Sequence, residues 1–237
     1  MKWSLPLCVD AHDTDFAEIA RPAALLRYMQ SAANMQLHTL GPTNEELLSK
    51  GQAFVLSKVR IIFHSPVNAY ENIVAHSWSC ESKGFSFNRC FSITNGSKTV
   101  AEAASIWALV DIQTKKPVRV EEFHPNFEDD TPISPDVPLR IQMPSELDEI
   151  GMHKVTYSET DRNRHMNNVR YLDMLSDFMD MEELLWEKAS LSFLNEAKTG
   201  EVLRIFKKTL GDEHFFKSIR QDGKVNIEAY VKTRKRR

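Results

Sequence analysis

The chain has 237 residues, 42% hydrophobic and 27% charged, with a formal net charge of −3. This is an ordinary globular make-up with room for a sizeable core, in one large domain or two small ones, and it has no global bias toward nucleic acid or an anionic membrane. No apolar run reaches the roughly 18 residues of a membrane span, and MKWSLPLCVDAHD turns polar too early for a signal peptide. Cys8, Cys80 and Cys90 are too few and too scattered for a disulfide framework or a zinc site, so the simplest compartment is a reducing cytoplasm.

In chain order, RPAALLRYMQSAANMQLHTL places Leu25, Met29, Ala32 and Met35 or Gln36 at helical spacing. AFVLSKVRIIF then alternates, with Val55, Ser57, Val59, Ile61 and Phe63 on one face, which predicts a strand. ENIVAHSWSC and SFNRCFSITNGSKTVAEAASIWALVDI predict more strands, with Asn95-Gly96 as a hairpin turn. Six of the ten prolines lie between Pro117 and Pro144, which is linker composition. The boundaries expected from it are a first repeat over 1–125, a linker over 126–147 and a second repeat over 148–237.

After the linker, NNVRYLDMLSDFMDMEELLW predicts a second long helix through Val169, Leu172, Leu175 and Met179. KASLSFL, EVLRIFKKTL and EHFFKSIRQDGKVNIEAYVKTR read as strands, with Asp222-Gly223 as the matching hairpin turn. The basic end, KTRKRR, is expected to be solvated. The two parts read alike, as an internal repeat of one strand, one long helix and several antiparallel strands. A sheet must cover its apolar face, and one long helix can do so. The expected fold class is α+β: two tandem hotdog repeats, each a long helix wrapped by an antiparallel sheet.

One stretch carries more polarity than this scheme requires. In TDRNRHMNNVRYLDML, Asp161, Asn163 and His165 sit at i, i+2 and i+4, so an extended backbone would put all three on one face. A helix start near Asn167 or Asn168 is expected, since asparagine caps well and periodic apolar residues begin at Val169. The trio would then lie beside free backbone N–H groups and the positive end of a helix dipole, which favour developing negative charge. Capping accounts for Asn168, but not for a histidine aligned with two more polar groups. At the corresponding point the first part reads FAEIARPAALL, without a matching set.

The run Asp161, Asn163, His165, Asn167, Asn168 and Tyr171 resembles the signature of the acyl-acyl carrier protein (acyl-ACP) thioesterases of plant plastids and bacteria. The resemblance extends over roughly residues 10 to 237, including WSCESKGFSFNRCFSI and AASIWALVDIQTKKPVR, with Trp78, Arg89 and Trp107 in the expected relation. It implies two hotdog repeats joined by a linker, with acyl-chain binding mainly in the first and catalysis in the second. It also implies hydrolysis of a fatty acyl-ACP thioester to free fatty acid, in fatty acid biosynthesis. Asp161, Asn163 and His165 take the catalytic positions of the motif, and the family's glutamate falls on Glu196 in FLNEAKTGE. Where plant members have a cysteine after that glutamate, this chain has Ala197, so a thiol nucleophile is not expected.

Without a thiol, Glu196 or Asp161 would activate water or attack the carbonyl, His165 would transfer a proton, and the Asn163 amide would stabilise the oxyanion. The partner implied is an acidic acyl carrier protein, with a homodimer as a further expectation. Arg162, Arg164, Arg170, Lys198, Lys207 and Lys208 are candidates for a docking patch. Leu26, Met29, Met35, Trp78, Phe85 and Trp107 are candidates for the acyl slot, each equally suited to the core. No cofactor or metal motif is present. Competing readings are an acyl-CoA thioesterase, a non-catalytic acyl-binding hotdog, and a hotdog hydratase or dehydratase.

Overall fold

The computed structural model describes residues 1–236. They form two compact units, residues 1–59 with 63–135, and residues 60–62 with the described residues from 136 onward.

The first unit opens with strand β1 (Trp3–Cys8), followed by helix α1 (Pro22–Leu40) and a short helix α2 (Asn44–Ser49). Proline at the first helical position needs no donor there and presets φ, which starts α1 without a side-chain cap. At the other end Gly41 takes φ +70°, and its N–H closes on the Leu37 carbonyl at 2.8 Å. Leu25, Leu26, Met29 and Ala32 are buried on one face of α1, which packs on β1, β3 and β4. The strands are β2 (Gln52–Phe63), β3 (Asn72–Lys83), β4 (Ser86–Asn95) and β5 (Lys98–Asp111), in the order β1-β3-β4-β5-β2. β4 and β5 join through Asn95-Gly96, where Gly96 supplies the positive φ of the tight turn.

The second unit repeats the plan. β6 (Asp148–Lys154), α3 (Arg170–Asp177), β7 (Leu184–Phe193), β8 (Val202–Leu210), β9 (Glu213–Ile219) and β10 (Val225–Lys235) follow one another, with strand order β7-β10-β9-β8-β6. The expected α+β class with tandem hotdog repeats is therefore the observed one.

The second helix is shorter than its periodicity predicts. It stops at Asp177, and Leu184–Phe193 is a strand. Eight residues are too few for helix propensity to hold α3, so burial of Leu172 and Leu175, at roughly 1.5–3 kcal/mol each, must do so. The basic end also departs from expectation. Lys232–Lys235 pair with β7, Thr233 is buried, and the Arg236 side chain donates to the carbonyls of Met181 and Leu184. Of KTRKRR only Arg237 lies outside the described residues.

The proline-rich segment is packed rather than free. Thr131 accepts from the Trp78 indole at 2.9 Å, and Ile133 covers Trp78, Cys80 and Cys90. Further on, Val137 is buried against Ile62 and Tyr230.

Candidate active site

Asp161, Asn163 and His165 lie in the second unit, in a tight turn and not in an extended segment. The Asp161 carboxylate accepts the N–H of Asn163 at 2.8 Å and that of His165 at 3.4 Å. The Asp161 N–H donates to the His165 carbonyl at 2.9 Å, and Arg164 takes φ +63° to let the chain reverse. Aspartate closes such turns because its short carboxylate reaches amides two residues on. The other Asp161 oxygen lies 3.4 Å from the Asn163 amide nitrogen, Nδ2. One amide N–H of Asn163 is thus steered by Asp161, and the second projects from an exposed side chain.

The turn docks on the loop after β7. The Met166 N–H donates to the Ala197 carbonyl at 2.8 Å, and His165 bridges to Lys198. This brings His165 Nε2 within 3.3 Å of Glu196 Oε2, with the side chains 20% and 44% exposed. The neighbouring Ala197 is fully buried.

The helix start differs from expectation by two to three residues. α3 begins at Arg170, and Asn167 works one step earlier, its side-chain oxygen accepting the Val169 N–H at 3.1 Å.

The first unit contains the same turn. Asp15 accepts the N–H groups of Ala17 at 2.9 Å and Ile19 at 3.2 Å, its own N–H donates to the Ile19 carbonyl, and Glu18 has φ +58°. Ala20 donates to the Val67 carbonyl as Met166 does to Ala197. The two turns therefore superpose in chain order: Asp15 on Asp161, Ala17 on Asn163, Ile19 on His165 and Pro66 on Glu196. Asp161 belongs to the architecture, since both units have it. Asn163, His165 and Glu196 are the additions.

A second feature lies within the first unit. Leu37, Phe54, Phe87, Trp107, Phe123 and Phe127 line a cavity of about 410 Å³. Phe54, Phe87 and Phe123 meet edge to face with centroids 5.2–5.5 Å apart. The Arg89 guanidinium also lines it, donating to Gln36 Oε1 at 2.7 Å and Ser77 Oγ at 2.8 Å. Burial pulls the pKa of Arg89 down to about 10, so it stays charged at neutral pH. Of the residues expected to form an acyl slot only Trp107 faces this cavity. Leu26, Met29 and Trp78 are core, whereas Met35 and Phe85 are exposed. Sequence periodicity missed Phe123 and Phe127 because they fall in the proline-rich segment, which has no period to read.

Cys8 is exposed, while Cys80 and Cys90 are buried with sulfurs 3.2 Å apart; all three lie in the first unit. Lys207, a candidate for the basic patch, is half-buried and donates to the Phe178 carbonyl at 2.8 Å. Arg162, Arg164 and Lys198 are exposed. Among the described residues no group of three or more His, Cys, Asp or Glu is arranged to hold a metal ion, and no helix is long and apolar enough to cross a membrane.

Comparison with known proteins agrees with this architecture. The family models for the acyl-ACP thioesterase N-terminal domain and the acyl-ACP thioesterase C-terminal domain match residues 3–124 and 143–235. In structure the chain is similar to an acyl-ACP thioesterase from Bacteroides thetaiotaomicron, with TM-score 0.89, 19% identity and 98% of each chain covered. It is also similar to a putative oleoyl thioesterase from Lactobacillus plantarum, with TM-score 0.83, 19% identity, and 99% of this chain and 96% of that chain covered. A 12:0-ACP thioesterase from Umbellularia californica gives TM-score 0.83 at 16% identity, with 99% and 98% covered. At such identities the structural likeness speaks to the fold alone. No curated protein sequence matches the chain.

Proposed function

The chain belongs to the acyl-ACP thioesterase family and is a thioester hydrolase, and from that premise we propose that Glu196, His165 and Asn163 hydrolyse fatty acyl-ACP to free fatty acid. The observation that carries this reading is the 3.3 Å approach of His165 to Glu196, which is absent from the otherwise equivalent first unit.

In the proposed reaction Glu196 and His165 together take a proton from water as its oxygen attacks the thioester carbonyl carbon. The carbonyl electron pair moves to oxygen, and the Asn163 N–H donates a hydrogen bond to the resulting oxyanion; one such donor is worth roughly 3–4 kcal/mol in the transition state. Collapse of the intermediate breaks the carbon–sulfur bond, and the proton returns through His165 to the departing thiolate. Asp161 holds the turn and steers Asn163, which makes it a positioning residue here. Single-turnover hydrolysis in heavy-oxygen water tests the choice of nucleophile. Label found only in the fatty acid is expected, and label in the Glu196 carboxylate would mean direct attack through an anhydride.

The acyl chain is assigned to the aromatic-lined cavity of the first unit, which has the apolar walls a lipid chain needs. Exposed Arg162, Arg164 and Lys198 are assigned to the acidic carrier. A matched pair of substrates, one acyl chain on carrier protein and on coenzyme A, tests that assignment: the carrier form is expected to have the higher kcat/KM. Cysteine usage assigns the protein to the cytoplasm.

A further inference from the structure

Directly behind Glu196 the second unit contains a buried polar cluster that the proposed reaction does not use. Asn226 is fully buried on β10, and its amide is fully engaged: Nδ2 donates to the Tyr171 hydroxyl at 3.0 Å and to the Asn195 carbonyl, and Oδ1 accepts from Ser218 Oγ at 2.8 Å. The Asn226 backbone carbonyl also accepts the N–H groups of Leu194 at 2.9 Å and Asn195 at 3.1 Å. Asn195 returns a bond from its own amide to the Val225 carbonyl at 2.7 Å. The residue immediately before Glu196 is thus tied by main chain and side chain to β10, and through Asn226 to α3 and β9.

Asn226 reaches these partners because it is the extra residue of a β-bulge. In the β9–β10 pairing Ser218 faces Ile227 and Ile219 faces Val225, so Asn226 has no partner across the ladder. The first unit has the same bulge. There Ile93 faces Ala101 and Thr94 faces Thr99, leaving Val100 unpaired, and the Val100 carbonyl accepts the N–H groups of His64 and Ser65. Leu25 stands ten residues after Asp15, as Tyr171 stands ten after Asp161. Where the second unit has Tyr171, Ser218 and Asn226, the first has Leu25, Ile93 and Val100, all buried.

The same backbone therefore closes with three apolar side chains, and the bulge does not need the amide. Buried polar groups gain little stability over well-packed apolar ones, and must be fully satisfied to avoid a cost. Burial also pushes the Tyr171 pKa up to about 12, so the phenol stays neutral in this cluster. The polar version occurs in the unit that has His165 and Glu196, one residue from the glutamate.

We propose that Asn226, with Tyr171 and Ser218, is a positioning residue that fixes the Asn195–Glu196 segment so that the Glu196 carboxylate stays within reach of His165. This rests on the assignment of Glu196 to the reaction.

The test transplants the first unit's solution into the second, as Tyr171→Leu with Ser218→Ile and Asn226→Val, and adds Tyr171→Phe, which removes only the hydroxyl. Two readouts are taken on the full chain: steady-state kinetics on acyl-ACP, and amide hydrogen exchange over residues 194–198. The triple variant is expected to melt cooperatively, to lose about 10–100-fold in kcat with KM little changed, and to exchange roughly tenfold faster over 194–198, with Tyr171→Phe intermediate; supporting groups one step from a reacting ligand carry losses of this size. Wild-type exchange, or wild-type kcat alongside faster exchange, in both variants overturns the proposal. If the triple variant does not fold, Tyr171→Phe alone decides by the same two criteria. Failure of the thioesterase assignment itself would look different: the wild-type chain would release no fatty acid, while exchange would still report whether the tether exists.

Discussion

At the scale of single residues, the pair Asp15 and Asp161 separates what the turn needs from what the reaction needs. Each carboxylate accepts two backbone N–H groups in the same geometry. Removing either deletes both bonds, at about 1 kcal/mol each. Asp15→Ala is therefore expected to lower the unfolding free energy by about the sum of the two and leave kcat unchanged. Asp161→Ala should lose similar stability and also turnover, because Asn163 and His165 then lose their frame; equal kcat in the two variants would contradict this. This distinction was not legible in the sequence. Asp161, Asn163 and His165 read there as three groups on an extended face, and the first part read as lacking all three. A turn closed by a carboxylate is defined by which amides it reaches, so Asp15, followed by Phe, Ala and Glu, left no polar pattern to notice.

His214 supplies a pH prediction at the same scale. Burial, with Lys207 nearby, lowers its pKa, and its ring nitrogens bond Thr209 at 3.1 Å and Thr233 at 3.1 Å. The folded protein binds the proton less readily than the unfolded chain. Stability should thus be complete above the unfolded value, near 6.5, and fall as pH drops below it. Urea midpoints measured from pH 7 to 5 are expected to decline in the wild type and to decline less in His214→Phe. Parallel curves would rule out His214 as a contributor.

At the scale of elements, the strands and both hairpin turns were legible because period-two alternation and Asn-Gly or Asp-Gly dipeptides are local signals. The end of α3 was not. Met179 continues the apolar phase, but α3 ends before it, and the Phe178 ring lies 2.9 Å from where a Cβ on Gly151 would stand. Gly151→Ala should push that ring aside and cost about 1–3 kcal/mol, read as a lower thermal midpoint. An unchanged midpoint would show that Phe178 relaxes freely. α1 offers a functional counterpart, since Ala33 faces the first unit's cavity. Ala33→Phe should fill part of it and shift the preferred acyl-ACP toward shorter chains. An unshifted chain-length profile would place the lipid elsewhere.

For the whole molecule, the two units share one architecture, with apolar residues in the first at positions that are polar in the second. That asymmetry could be glimpsed in the sequence at His165, through the motif, but not at Asn226 or Ser218. Their partners are far apart in the chain and are brought together only by strand pairing. If Arg162, Arg164 and Lys198 meet an acidic carrier, raising salt should lower kcat/KM for acyl-ACP far more than for a short thioester lacking the carrier; equal slopes would remove those residues from the interface. The most direct measurement of the central claim is steady-state release of free fatty acid from a series of acyl-ACP thioesters by wild type, His165→Ala and Glu196→Gln. Turnover by the wild type, a loss of about 10²–10⁴-fold in each variant and unchanged thermal midpoints are expected. Wild-type rates in Glu196→Gln would contradict it.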